Sequence, residues 1–315
     1  FRGGQFSRND SILAGILDEL WKAREQAKQA SNSVLSNAIK IIMNSFYGVL
    51  GSAGCRFYDT KLASSITMRG HWVLNQSKEW FHQKGHTVIY GDTDSVFVKL
   101  ENTEFSNALA TSLQIELNQW WQEKIASEFS LVSKLEMEFE THFDPFFMPT
   151  IRGQEAGSKK RYAGQIIDAD GHRQIIFKGL ESVRSDWTPL AKKFQARIFE
   201  LIFSGRSVKE YVQTTLTALY AGELDSDCLY QKRIRQQLNE YVKTTPPQIK
   251  AARHANENYG RNIYQRGSII KYVITTSGPR EATSEELILD YEHYASKQLF
   301  PIAESILHTS EPEVL

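Results

Sequence analysis

The sequence has few of the features that assign a protein to a class at once. Only two of its 315 residues are cysteines, Cys55 and Cys228, and they lie 173 positions apart, which argues against a disulfide framework or a cysteine-based metal site. No apolar run approaches the roughly 18 to 20 residues that a membrane-spanning helix needs, and no secretory signal pattern opens the chain. We therefore expect a protein of the reducing cytoplasm with no membrane partner.

The chain also lacks net charge, because 37 basic residues balance 37 acidic ones. This balance averages over blocks of opposite sign. Residues 92–144 carry a net charge of −8, whereas residues 152–206 carry +5 and residues 232–280 carry +8. Such segregation is typical of a protein with separate surfaces for cations and for phosphate groups. The alternative interpretation is that solvated faces simply vary in charge along the chain.

The first half of the chain alternates between predicted helix and predicted strand. Apolar residues at helical spacing predict helices at 7–30 and 34–47, and the short polar stretch between them favours a helical hairpin. Helices are also predicted at 62–84 and 104–128. The segment HTVIYGDTDSVFVKL at 86–100 has the pattern of a strand, a tight turn and a second strand.

The second half is predicted to be mixed as well. Strands are predicted at 135–140, where apolar and acidic residues alternate, within 148–179 and at 268–276; helices at 186–204, at 208–245 in two pieces, and at 283–308. Pro246 and Pro247 are expected to end the run at 208–245. Hydrophobic residues make up 41% of the chain, so these elements predict an α+β fold of two to three domains.

Asp92-Thr93-Asp94, at the turn of the predicted strand pair, is the first cluster with a chemical implication. Two positions apart, both carboxylates lie toward the same side and repel each other unless a cation lies between them. Mg²⁺ is the natural candidate, because it binds a few carboxylates together with phosphate oxygens. Asp is also common in turns that bind nothing, but the apolar residues on both sides favour a core hairpin.

A polar stripe follows the helical hairpin. Lys40, Asn44 and Tyr47 share one face of the second helix, and Arg24 and Lys28 share a face of the first. Cations, an amide and an aromatic ring in a line suit a polyphosphate followed by a sugar or a base. The alternative is an ordinary exposed face of a charged helix.

Four motifs, in order, resemble those of family B DNA polymerases. They are KIIMNSFYG at 40–48, similar to the fingers motif; YGDTDS at 90–95, similar to the palm carboxylate motif; SKKRYAG at 158–164, similar to the Lys-Lys-Arg-Tyr motif; and KGLESVRSD at 178–186, similar to the passage from palm to thumb. Around the first motif, the run NAIKIIMNSFYGVLGSAGCRFYD is most similar to a bacterial member of the family.

The resemblance implies a fold and a site for the incoming dNTP. It implies fingers at 1–60, formed by the helical hairpin, the C-terminal portion of a palm with an antiparallel sheet at 61–182, and a largely helical thumb at 183–315. In the fingers, Lys40 would hold the triphosphate together with Arg24 and Lys28. Asn44 would contact the triphosphate or its water shell, and Tyr47 would pack near the sugar and the nascent base pair.

The resemblance also implies two-metal phosphoryl transfer to a primer 3′ end. Asp92 and Asp94 would be the catalytic residues and the metal ligands for two Mg²⁺ ions, the second shared with the dNTP. Asp94 would be the main ligand of both ions and Asp92 a weaker or transient one. One ion would activate the primer 3′-oxygen while the other holds the triphosphate.

Contacts with primer–template DNA are implied as well. Lys159, Lys160, Arg161 and Tyr162 would follow the duplex near the active site, with Lys160 reaching the minor groove. There a lysine can check the shape of a base pair without reading its sequence. The basic block 232–280 would contact duplex phosphates, which makes binding fall with salt.

One catalytic part of the family has no counterpart in this sequence. A further Asp, in a motif resembling Asp-Phe-x-Ser-Leu-Tyr-Pro, is missing, as is the editing exonuclease. We therefore expect the C-terminal portion of a longer polymerase of DNA replication and repair, inactive alone and associated with the nucleoid. Its partners would be DNA, dNTP and the missing N-terminal and upstream palm portions. A sliding clamp would be a further partner, although no Gln-Leu-x-Leu-Phe tail is found.

Two other functions fit parts of the sequence. The chain could be a non-catalytic DNA-binding module derived from a polymerase, which would bind primer–template without incorporating nucleotides. It could also be a reverse-transcriptase or RNA-polymerase palm, since those too place paired acids on a hairpin. The motif at 40–48 argues against the latter.

Overall fold

The structure, a computed structural model, describes residues 7, 11–100, 105–149, 159–168, 170–282 and 287–310. For residues 308–310 it describes the backbone only. The chain divides into two compact units, Phe1–Phe139 and Glu140–Leu315. Each unit has its own hydrophobic core. Helices and small antiparallel sheets are mixed along the chain, so the predicted α+β class is confirmed. Among the described residues, no helix combines the length and the apolar character needed to cross a membrane.

The first unit opens with the predicted helical hairpin. Its elements are α1 (Ile12–Gln29), α2 (Ser33–Leu50), α3 (Thr60–Gln83), β1 (Thr87–Asp92), β2 (Ser95–Lys99) and α4 (Asn107–Phe129). Helices α1 and α2 pack against each other. Side chains cap both: Ser11 Oγ accepts from Ala14 N at 3.3 Å, and Asn32 Oδ1 accepts from Leu35 N at 3.0 Å. Such caps satisfy amides that a helix start leaves unpaired.

An aromatic core holds α3, α4 and the β1–β2 hairpin together. Trp121 on α4 is fully buried and donates from Nε1 to Ser77 Oγ on α3 at 3.1 Å. Trp80, Phe81 and Leu117 complete the centre of this cluster, against which Val88 of β1 and Val96 and Val98 of β2 pack. The β1–β2 hairpin is therefore a core element, as the apolar residues around Asp92 and Asp94 indicated.

The predicted strand at 135–140 is wrong. Exposure alternates as expected over residues 135–138, but Phe139 is exposed and the backbone does not join a sheet. Instead, the N–H and the carbonyl of Met137 both bond the side-chain amide of Asn118 at 2.8 Å, and Phe139 N donates to Gln114 Oε1 at 3.0 Å. Side chains of α4 thus satisfy the backbone groups that a neighbouring strand would otherwise satisfy.

The second unit contains two three-stranded antiparallel sheets and several helices. Its elements are β3 (Phe146–Phe147), β4 (Tyr162–Ile167), β5 (Arg173–Lys178), α5 (Pro189–Phe203), α6 (Lys209–Tyr220), β6 (Tyr230–Arg233), α7 (Pro247–Tyr259), β7 (Ile269–Thr275), β8 (Gly278–Glu281), α8 (Tyr291–Tyr294), a π-helical turn at Ala295–Leu299, and α9 (Phe300–Ser310). The strand orders are β3-β4-β5 and β6-β7-β8.

Three predictions for the second unit need correction. The second helical piece of 208–245 is instead a 3₁₀ turn at Asp225–Asp227 followed by β6, because Tyr230 pairs with Tyr272 on β7 and their rings stack at 5.1 Å. Pro247, which was predicted only to end a helix, is also the first residue of α7. The N–H at this position has no acceptor within the helix, so its absence in proline costs no hydrogen bond.

The predicted helix at 283–308 starts only at Tyr291. The preceding chain is held extended by a bridge between Leu289 and Thr275 of β7. Residues 283–286 lie outside the described residues.

The two cysteines are expected to differ sharply in reactivity. Cys228 is fully buried, and burial, with the nearby Asp225 and Asp227 charges, raises the pKa of its thiol to about 12. Because the thiolate is the reactive form, its fraction at neutral pH falls roughly a thousandfold. Cys55 is partly exposed. We expect iodoacetamide to modify Cys55 alone in the folded chain and both residues in guanidinium, as counted by intact mass; two adducts on the folded chain would contradict this.

Candidate functional site

A tight turn presents the two predicted metal-binding carboxylates. In the β1–β2 hairpin Asp92 pairs with Ser95, so only Thr93 and Asp94 lie between the strands. Thr93 has φ of +48°, a left-handed conformation that β-branched residues rarely adopt. A strained backbone of this kind costs on the order of 1–3 kcal/mol and persists where the surroundings enforce it. Strands β1 and β2, which flank the turn and pack against the core, hold Thr93 in this conformation.

Hydroxyl groups orient both carboxylates. Thr93 Oγ1 donates to Asp92 Oδ1 at 3.0 Å, and Ser95 Oγ donates to Asp94 Oδ1 at 3.4 Å. Asp94 is exposed, whereas Asp92 is half-buried. The carboxylate of Asp94 is therefore the more accessible of the two from solvent.

The donors on this turn fit Mg²⁺. Carboxylate oxygens are the ligands that Mg²⁺ prefers, and it usually takes one or two of them and completes its shell with water and substrate phosphates. Across the described parts of the chain, Asp92 and Asp94 belong to no cluster of three or more ligand side chains. This chain thus brings two carboxylates, which suits a site completed by a further acid and by a nucleotide.

A second acidic group, which was not predicted from the sequence, lies in the β4–β5 turn. Ligand atoms of Asp168, Asp170 and His172 lie within 4.8 Å of one another, and all three residues are exposed. Asp168 Oδ1 accepts from the amides of Asp170 and His172 at 3.0 and 2.8 Å. These hydrogen bonds stabilise the turn and are sufficient to explain why the three side chains lie close together. The D-x-D-x-H spacing was the signal that could have found it.

The predicted stripe on α2 is present. Lys40 and Asn44 are exposed, and Tyr47 is 47% exposed. The Tyr47 hydroxyl lies 2.7 Å from Thr67 Oγ1 on α3, and that oxygen donates its own hydrogen to Ala63 O at 2.9 Å. Tyr47 is therefore the donor to Thr67. The tyrosine is fixed at its hydroxyl, while much of its ring remains open to solvent.

Arg24 and Lys28 lie on α1, which packs against α2. Lys28 Nζ is 3.0 Å from Glu25 Oε1, so part of its charge is balanced locally. The Arg24 guanidinium carbon lies 5.8 Å from the centroid of the Trp21 ring, a cation–π arrangement that limits its freedom. Cations of α1 thus lie on the helix that neighbours the predicted phosphate stripe.

The residues of the Lys-Lys-Arg-Tyr motif form the turn that leads into β4. Lys159 and Lys160 are exposed, and Lys160 has φ of +63°. Arg161, predicted to follow the DNA, is half-buried and forms an ion pair with Glu181, whose side chain is almost fully buried. Tyr162 is the first residue of β4 and pairs with Lys178 of β5. No local sequence pattern identifies Glu181 as the partner of Arg161.

The predicted site residues are distributed over both units. The carboxylate turn and the polar residues of α1 and α2 belong to the first unit, and the Lys-Lys-Arg-Tyr turn belongs to the second. Several cations of the block 232–280 are exposed on the second unit: Arg233, Arg235, Lys243, Lys250, Arg261, Arg266 and Lys271.

Comparison with known proteins agrees with the four motifs. DNA polymerase II of Escherichia coli K12 is 48% identical over 314 residues, which cover 98% of this chain and 40% of that protein. A DNA polymerase of Thermococcus gorgonarius is 29% identical over 326 residues, covering 94% of this chain and 38% of its own length. The chain therefore spans about two fifths of the length of these relatives.

The fold agrees as well. The family B DNA polymerase of the hyperthermophilic archaeon Pyrobaculum calidifontis superimposes with a TM-score of 0.61 at 25% identity, covering 96% of this chain and 38% of that one. The sequence model of DNA polymerase family B matches residues 5–308, a range that contains both site groups. The resemblance to that family is confirmed, and a reverse-transcriptase or RNA-polymerase palm is excluded. The chain belongs to DNA polymerase family B.

Proposed function

We propose that this chain is the fingers, C-terminal palm and thumb portion of a DNA-directed DNA polymerase that adds dNTPs to a primer 3′ end. Its fingers would occupy residues 1–60, its palm portion 61–182 and its thumb 183–315. The observation that carries the proposal is the tight Asp92–Asp94 turn on a core hairpin, in a chain whose relatives are named DNA polymerases.

Asp92 and Asp94 would hold the reaction centre. Two Mg²⁺ ions bound there would favour ionisation of the primer 3′-hydroxyl and neutralise charge on the triphosphate. The hydroxyls of Thr93 and Ser95 keep the carboxylates oriented. In phosphoryl transfer the protein supplies positioning and charge more than covalent chemistry, so a rigid turn is the main requirement.

The helical hairpin would hold the incoming nucleotide. Lys40 contributes a cation to the triphosphate, with Arg24 and Lys28 from α1 adding positive charge, and Asn44 contributes an amide. Tyr47, tied to Thr67 by its hydroxyl, offers its exposed ring to the sugar and the nascent base pair. Fixing the ring before the nucleotide arrives lowers the entropy lost on binding.

The second unit would hold the duplex. Lys159, Lys160, Arg161 and Tyr162 lie at or beside one turn, with Lys160 proposed to reach the minor groove, and the cations of 232–280 add contacts to phosphates. The upstream palm and N-terminal portions of the same polymerase would be its partners, and a sliding clamp a further one. Replication and repair of DNA at the nucleoid, in the cytoplasm, would be its setting.

A non-catalytic DNA-binding module is the second candidate function. It is favoured by the finding that, among the described residues, the hairpin acids have no third ligand side chain beside them. A site with two carboxylates can hold a cation and DNA without completing the reaction centre. The two functions differ in what happens when the missing acid is supplied.

We expect the 315-residue chain alone to bind primer–template DNA but not to extend it. Binding should weaken steeply with salt, because lysines and arginines displace counterions from the phosphates. Fluorescence anisotropy at several salt concentrations checks binding, and a primer-extension gel with Mg²⁺ and four dNTPs checks catalysis.

Joining the chain to a family B segment with the Asp-Phe-x-Ser-Leu-Tyr-Pro motif should then restore extension. Failure of the joined protein to extend would favour the binding module. Rapid extension by the chain alone would refute the need for the upstream acid.

In the joined polymerase, Lys40→Ala should raise the KM for dNTP by roughly ten- to a hundredfold. The reason is the loss of one charge-assisted hydrogen bond to phosphate, about 1.5–3 kcal/mol. Lys78→Ala is the matched control, since Lys78 is an exposed lysine on α3 outside the stripe. An unchanged KM in Lys40→Ala, measured by single-nucleotide incorporation, would remove Lys40 from the phosphate site.

A further inference from the structure

A buried carboxylate lies directly beneath the Lys-Lys-Arg-Tyr turn. The Glu181 side chain is only 8% exposed, and both its carboxylate oxygens accept hydrogen bonds. Oε1 accepts from Arg161 Nη2, and Oε2 accepts from Gln195 Nε2 at 2.6 Å. A buried carboxylate is costly unless it is paired and hydrogen-bonded, so these two partners are held firmly.

Gln195 ties this carboxylate to the core of the second unit. Gln195 is fully buried on α5, and its Oε1 accepts from the backbone N–H of Ser182 at 2.8 Å. The amide therefore bonds the carboxylate of Glu181 with one end and the next residue of the chain with the other. Helix α5 thus fixes both the position and the direction of the Glu181 side chain.

A backbone contact holds the same turn independently. Gly179 has φ of +63°, and a Cβ built on it would overlap the carbonyl oxygen of Lys160. Segment 179–181 therefore contacts the turn twice: at the Lys160 carbonyl and at the Arg161 guanidinium. Arg161 directly follows Lys160, so holding its guanidinium restricts the direction in which the preceding lysines leave the turn.

The ion pair with Glu181 distinguishes Arg161 from the two lysines that precede it. Glu181 balances the charge of Arg161, which is only half exposed, whereas Lys159 and Lys160 are exposed on the turn. Arg161 thus acts within the protein, and Lys159 and Lys160 are the side chains of this turn that solvent reaches most.

We propose that Glu181 is a positioning residue for DNA binding: held by Gln195, it anchors Arg161 and so presents Lys159 and Lys160 to the duplex backbone. This inference rests on the proposed contact of these two lysines with primer–template DNA. It assigns to Arg161 an anchoring part in place of a direct contact with phosphate.

The test is a double-mutant cycle in the 315-residue chain. Affinity for a fluorescent primer–template is measured for Glu181→Gln, for Lys159→Ala/Lys160→Ala, and for the combination. We expect Glu181→Gln to weaken binding about tenfold in the native background and less than about twofold when both lysines are absent, because coupled residues are not additive. The lysine variant should lower the salt slope by about 2, or about 1 per lysine, and Glu181→Gln should lower it as well.

Glu223→Gln is the matched control, since it removes the same charge from an exposed glutamate of the same unit. It should bind as tightly as the native chain or slightly more tightly. An equal loss from Glu181→Gln in both backgrounds would show a general structural role and overturn the inference. If the lysine variant bound DNA normally, the proposed contact of Lys159 and Lys160 with DNA would be refuted. The positioning role of Glu181 would then be refuted as well.

A second variant covers the case in which Glu181→Gln unfolds. Arg161→Lys keeps a positive charge opposite Glu181 but replaces the planar guanidinium by a single ammonium. We expect a loss of roughly threefold that disappears when Lys159 and Lys160 are absent, with a thermal unfolding profile near that of the native chain. A stable Arg161→Lys chain with native affinity and native salt slope would overturn the inference.

Discussion

Asp94→Ala is expected to lower nucleotide incorporation at least about a thousandfold in a polymerase that joins this chain to an upstream family B segment. The carboxylate of Asp94 is exposed at a tight turn and oriented by Ser95. Its removal would take away a ligand proposed for both metal ions, and charge stabilisation by such ions is worth several kcal/mol in the transition state. Single-turnover incorporation of one dNTP on a primed template measures the loss directly.

The variant should keep its affinity for DNA. Because Asp94 lies on the surface of the hairpin and not in the core, Asp94→Ala should fold normally and bind primer–template within about twofold of the native protein. Asp170→Ala is the matched control: it removes an exposed aspartate from the acidic turn of the second unit. Incorporation should persist in that variant. If Asp170→Ala instead lost activity and Asp94→Ala kept it, the metal site would have been assigned to the wrong turn.

Gly179→Ala is expected to destabilise the second unit by at least about 3 kcal/mol and to weaken DNA binding with it. The added Cβ would meet the carbonyl oxygen of Lys160, a backbone atom that cannot rotate away, and φ of +63° is unfavourable for alanine as well. Relief would require the turn 159–161 to move from segment 179–181. Guanidinium unfolding followed by circular dichroism measures the stability, and anisotropy measures the affinity.

Gly171→Ala separates the overlap from the backbone conformation. Gly171 lies in the β4–β5 turn with φ of +83°, but a Cβ there would meet no other described residue within 4 Å. It should cost only about 1 to 2 kcal/mol, the price of a left-handed alanine, and leave DNA affinity unchanged. Equal destabilisation by the two substitutions would mean that the contact between Gly179 and Lys160 adds nothing.

The structure confirms most of the elements that local patterns predicted. The helices α1 to α4 and the β1–β2 hairpin follow from apolar spacing and from turn residues, which act over a few positions. Prediction was wrong where distant partners decide the backbone. Segment 135–140 bonds side chains of α4, and β6 exists because β7 pairs with it.

The candidate site divides in the same way. Asp92 and Asp94, the stripe from Lys40 to Tyr47 and the Lys-Lys-Arg-Tyr motif could all be found from the sequence, because each is contiguous or repeats at helical spacing. The partners that position them could not. Thr67 lies 20 residues from Tyr47, and Glu181 lies 20 residues from Arg161; nothing in a linear pattern distinguishes either from any other threonine or glutamate.

The sequence alone determined the chemistry that this chain can offer: two adjacent carboxylates, a cationic and aromatic helix face, and basic blocks hidden within a net charge of zero. Which of these charges face solvent depends on the tertiary fold. It buries Glu181 against Arg161 and leaves Lys159 and Lys160 exposed, although all three cations are consecutive in the chain. The physical reason is that composition fixes how many charges there are, whereas packing in the fold fixes which of them are buried and which reach solvent.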